Sequence, residues 1–165
     1  MFKHLLRTSV PALFMLASTP LWSAQQLELA LTTVEGTGDA AMIVSWIETT
    51  DGKFVRTLLM FSKDKKYYKD MTIWQKGRGE AGEGDVVDAM ISPTIKWSAN
   101  RTVAVNVVQG DLNLLSGKYV LRVEQRKDKA GHYKKTRIPL TADFSGVKLQ
   151  DEGYLASLSV TLKKG

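Results

Sequence analysis

Two apolar runs, Ala41–Ile47 and Phe54–Phe61, flank Thr49-Thr50-Asp51-Gly52. Asp-Gly between β-rich runs signals a hairpin, because the tight turn needs a positive φ that glycine adopts without strain. The first run is apolar at six of seven positions, so both faces of that strand are expected to meet protein. The second is interrupted only by Arg56 and Thr57. A hairpin this apolar does not stand alone in water and requires a second layer packed on it.

Period-two alternation surrounds the hairpin. Leu27, Leu29 and Leu31 oppose Gln26, Glu28 and Thr32 within residues 26–34. Val103, Val105 and Val107 alternate in 101–108, and Leu158, Val160 and Leu162 oppose Ser157, Ser159 and Thr161 in 154–162. In 118–125, Tyr119, Leu121 and Val123 point inward, with Lys118, Arg122 and Glu124 outward. Such alternation marks half-buried strands. His132–Leu140 pairs back across the polar turn 126–131, and Pro139 favours a place at a sheet edge because it lacks a ladder donor. One segment breaks the pattern: Tyr67, Met71 and Trp74 follow helical spacing and predict one short amphipathic helix within 62–76. Residues 35–39, 77–85 and 109–117 read as loops, and 86–97 shows no regular period.

About seven strands and one short helix predict an all-β antiparallel β-sandwich of immunoglobulin or fibronectin III character, with a closed barrel as the alternative. Residues 1–24 are set apart. Lys3 and Arg7 without acids, the apolar Leu13–Ala17 and the end Leu21-Trp22-Ser23-Ala24 have the layout of a signal peptide cleaved after Ser23 or Ala24. Pro11, Ser18, Thr19 and Pro20 interrupt the stretch before it reaches membrane-spanning length. Residues 25–165 then form a single domain exported to the periplasm, with no transmembrane segment after the leader. There is no cysteine, which removes disulfides, thiolate catalysis and Cys-based zinc sites. The net charge of +6 loses two positive charges with the leader. The mild excess that remains, partly Lys63, Lys65, Lys66 and Lys69, reads as a solvated surface and excludes nucleic acid as a partner.

Candidate chemistry is sparse. Gly77, Gly79 and Gly82 match G-x-G-x-x-G, but a helical pattern precedes them, and Glu80, Glu83 and Asp85 repel phosphate. The same acids with Asp88 lack EF-hand spacing and read as an acidic solvated loop, so no metal site is assigned. His132, the one histidine after the leader, reads as a turn residue, with a haem axial ligand as the alternative. No G-x-S-x-G elbow accompanies it, so no catalytic residue is assigned. Tyr67, Tyr68 and Trp74 are either a cap on the core or a partner-binding surface.

Residues Val44–Leu58, VSWIETTDGKFVRTL, with Lys66–Asp70, KYYKD, and Trp74, resemble a bacterial family of periplasmic proteins of unknown function. Leu115–Glu124, LSGKYVLRVE, and Arg137–Leu140, RIPL, are similar to later strands of that family. The resemblance implies a fold like the immunoglobulin-like part of flagellar hook-capping proteins. It also implies association with PepSY and flavin-transferase systems, in which relatives carry D-x-[VI]-[ST]-G-A-T as a site of covalent flavin attachment. The corresponding Asp88–Thr94 keeps Asp88 and Thr94 but places Ile91 at the hydroxyl position and Ser92-Pro93 at Gly-Ala. Proline removes a donor and the lost glycine blocks close approach of a phosphate, so Thr94 reads first as a loop residue. Two functions follow. One is a non-enzymatic accessory binding an envelope membrane protein or small ligand, serving an envelope redox or metal-uptake system. The other is a redox module carrying flavin at Thr94 or haem at His132.

Overall fold

The computed structural model describes residues 25–33, 42–62, 65–79, 90–92, 100–106, 112–126 and 132–164. The strands are β1 (Gln25–Thr33), β2 (Met42–Thr49), β3 (Phe54–Phe61), β4 (Met90–Ser92), β5 (Asn100–Asn106), β6 (Tyr119–Arg126), β7 (His132–Leu140), β8 (Gly146–Glu152) and β9 (Leu155–Lys164). A 3₁₀ turn at Lys65–Asp70 leads into helix α1 (Thr72–Arg78). One sheet has the order β5-β1-β9-β8, the other β4-β3-β2-β6-β7. Pairing is antiparallel except at β3–β4, where Leu59, Met60 and Phe61 run parallel to Met90, Ile91 and Ser92. The chain is thus an all-β sandwich, with one α-helix among the described residues.

The core follows from the alternation. On β1, Leu27, Leu29 and Leu31 are buried while Glu28, Ala30 and Thr32 are partly open. With Leu158 and Val160 of β9 they meet Ile43, Ile47, Leu59, Phe61, Leu121, Val123 and Ile138 of the facing sheet. Fully burying one such side chain contributes about 1.5–3 kcal/mol.

Strand β2 is buried from Met42 to Glu48 because its second face is covered as well. Met42, Val44 and Trp46 pack with Met60, Tyr68, Met71 and Trp74 in a second cluster under the 3₁₀ turn and α1. The register slips at Ser45/Trp46 and Ile47/Glu48 on the β2–β3 pair. Thr57, an interruption in the apolar pattern, is thereby buried, and its Oγ1 accepts a bond from Trp74 Nε1 at 2.9 Å.

Several expectations are corrected. Glu124, expected outward, is 0 % exposed because α1 lies on its face of β6. Gly77 and Arg78, expected in a loop, end α1. Residues 90–92, without period in the sequence, form β4. The unforeseen β8 presents only Val147 and Leu149 to the core, each half-buried at a sheet edge, too brief an apolar signal to stand out. Pro139 does lie on the edge strand β7.

Candidate functional site

The outward row of β6, Arg122, Glu124 and Arg126, organises everything on that face. Glu124 accepts bonds from the amides of Ile73 at 3.2 Å and Trp74 at 2.9 Å. These are first-turn amides with no partner inside the helix, and α1 has no side-chain cap of its own. A carboxylate from a neighbouring strand supplies the missing acceptor. Arg126 donates to the carbonyl of Asp70 and sits 3.8 Å from its carboxylate, bracing the preceding 3₁₀ turn. Arg122 donates to Glu48 Oε1 at 2.6 Å, and its guanidinium lies 5.5 Å from the Trp46 ring centre. Arg137 on β7 approaches the same Glu48 oxygen to 3.7 Å.

Beside this row, between α1 and the β2–β3 turn, lies an open groove of about 720 Å³. Trp46, Phe54 and Ile73 give it apolar walls, Glu48 and Arg122 a paired polar floor, and Asp51, Lys53 and Lys76 a charged rim. The turn is tightly built. The Gly52 amide donates to Thr49 O at 2.9 Å, and the Lys53 amide to Thr49 Oγ1 at 3.0 Å. Gly52 has φ +92°, the conformation expected of the Asp-Gly pair. Thr49 Oγ1 donates to Asp51, and this bond, followed by backbone donors, holds the Asp51 carboxyl below its ordinary 3.8. Arg137 Nη2 donates to Thr50 O at 3.0 Å, so the rim is tied to β7 as well.

The profile of the family described as predicted periplasmic protein (DUF2271) matches residues 24–157, most of the chain. The chain belongs to that family. It is accordingly a periplasmic protein. No curated protein and no solved structure matches it. Among the described residues of this DUF2271 protein, no helix is long and apolar enough to cross a membrane.

Of the residues singled out in the sequence, the structure brings Tyr68 and Trp74 together, with Tyr67 packed against their cluster. Trp74 is 0 % and Tyr68 9 % exposed, meeting edge to face with ring centres 5.8 Å apart, so both rings serve the second cluster. Tyr67 stays half-buried with Lys66 Nζ 5.0 Å from its ring centre. The helical spacing that paired Tyr67 with Met71 fails because the segment before Met71 is 3₁₀. Three residues per turn place Tyr68, not Tyr67, above Met71. His132 opens β7 in register with Arg126. Thr94 lies outside the described residues, as do the acidic loop residues Glu80, Glu83, Asp85 and Asp88. Among the described residues no three of His, Cys, Asp and Glu gather to hold a metal ion.

Sequence reasoning did not anticipate Glu48, Lys53, Lys76 and Arg122 as a group. The Asp-Gly turn sets only the β2–β3 pairing, whereas Trp46 faces Arg122 across β2–β6, a pairing between strands far apart in the chain that no local pattern announces.

Proposed function

We propose that this DUF2271 protein is a non-enzymatic binding module of the periplasm and that the groove beside α1 is its recognition site. The observation that carries the reading is a 720 Å³ concavity with apolar walls over a pre-paired Glu48–Arg122 floor. Small-ligand sites span about 300–1,000 Å³ and combine apolar walls with a few fixed polar groups. Glu48, engaged by Arg122 and flanked by Arg137, is a held charge suited to orienting a ligand. Tyr67 at the surface of the same covering segment extends the contact area toward a protein partner. The wider setting, an envelope redox or metal-uptake system reached through a membrane protein or small ligand, is supported by the resemblance to PepSY-linked relatives.

Amide spectra of the isotope-labelled protein, recorded with the low-molecular-mass fraction of a periplasmic extract, test the site. Shifts centred on Trp46, Gly52, Lys53, Ile73 and Gly77 are expected, and Ile73→Glu should abolish them. Shifts confined to the β5-β1-β9-β8 sheet would overturn the assignment.

A further inference from the structure

We infer that the groove selects a small organic anion with an apolar body, its acidic group held between Lys53 and Lys76. The inference rests on the reading of the groove as a recognition site. Five charged side chains line it: Glu48, Asp51, Lys53, Lys76 and Arg122. Two of the charges cancel in the floor, where Arg122 and Glu48 meet at 2.6 Å. Asp51 accepts the Thr49 hydroxyl within the turn and keeps its negative charge at the rim beside Lys53, so the rim sets two bases against one acid and stays positive by a single charge. The two ammonium groups of the rim, Lys53 at the end of the turn and Lys76 on α1, are both exposed and on separate elements that flank the opening. Neither makes a contact ion pair among the described residues, and the charge of Lys53 acts on the neighbouring Asp51 carboxylate. A cationic ligand would meet a rim of net positive charge at the entrance, and a purely inorganic anion would leave Trp46, Phe54 and Ile73 unused. An anion with an apolar body satisfies both halves.

The test uses the intact protein and two dyes sharing one apolar body, anilinonaphthalene sulfonate and the uncharged N-phenylnaphthylamine. The sulfonate should bind one per chain, shifting the amides of Gly52, Lys53, Ile73 and Lys76. The double variant Lys53→Gln, Lys76→Gln changes exposed side chains only, and its circular dichroism and urea midpoint should match the parent. It should bind the sulfonate about tenfold more weakly, equivalent to ~1.4 kcal/mol, with binding of the neutral dye unchanged. Equal sulfonate affinity in parent and double variant overturns the inference. So does a neutral dye that binds as tightly as the sulfonate, although the groove then survives as a site for apolar ligands. If neither dye shifts those amides, the recognition site falls with its selectivity. If only a short acidic peptide such as Glu-Phe-Glu shifts them, the occupant is a protein segment and the small-anion assignment is wrong.

Discussion

Glu124 is the residue on which the groove's geometry depends, and its removal makes a quantitative test. Its side chain is 0 % exposed, and its two carboxylate oxygens accept from Ile73 N at 3.2 Å and Trp74 N at 2.9 Å. Glu124→Ala deletes both acceptors while α1 remains pressed on the sheet by Met71 and Trp74, each 0 % exposed. A buried donor left without a partner costs about 1–3 kcal/mol. The Trp74 amide bears that penalty in full, and the half-buried Ile73 amide recovers part of it from water. The expected loss is therefore about 2–4 kcal/mol. Urea denaturation followed by tryptophan fluorescence should show it. With a slope near 2 kcal/mol/M for a chain of this size, the midpoint falls by about 1–2 M at unchanged slope. Glu124→Gln refines the result. Its oxygen keeps one amide while its NH₂ faces the other donor, so about half the loss, ~1–2 kcal/mol, is expected. Hydrogen exchange at the Ile73 and Trp74 amides should accelerate in step with these losses. A Glu124→Ala midpoint within 0.2 M of the parent, or about as low in Gln as in Ala, would refute the claim that this carboxylate holds α1 in place.

Gly52→Ala should lower stability by about 1–2 kcal/mol, because φ +92° is strained for any residue with a Cβ although open space surrounds the position. Calorimetry should record a Tm fall of ~3–8 °C. Thr49→Val should raise the Asp51 pKa toward 3.8 by removing its largest lowering contribution, a change that carboxyl-carbon NMR titration reads directly. The sign follows from linkage. A carboxylate depressed in the folded state contributes stability above its unfolded pKa, and that contribution is lost as pH falls through the lower folded value. Loosening of the turn in acid should therefore begin at higher pH in Thr49→Val than in the parent, and an unmoved Asp51 titration would refute the hydroxyl's role. Leu59→Ala empties a site 0 % exposed between the sheets and should cost about 2–5 kcal/mol in urea unfolding. Protein purified from its native periplasm should show no visible absorption. A flavin or haem band would instead support cofactor attachment at Thr94 or His132.

Local features of the sequence determined much of the sandwich. The Asp51-Gly52 turn needs only four neighbouring residues to reverse the chain, so β2 and β3 were legible at once. Leu27, Leu29 and Leu31 alternate because a pleated strand has two faces, and the buried one was readable without knowing what covers it. Pro139 marked its own strand as an edge through the donor it lacks. The outward faces were another matter. A glutamate opposite an apolar strand face normally meets water, and nothing near Glu124 in the chain announces that residues 65–78 will dock over it. Whether that segment begins as 3₁₀ or α decided which tyrosine turned inward, and the choice depends on how Met71 and Trp74 seat on β2 and β3. The groove draws on β2, the turn, β3, α1 and β6, so its charges become neighbours only after folding. Patterns of a few residues record which side of an element is apolar. What lies against each side depends on contacts between distant parts of the chain, and only the tertiary structure supplies those.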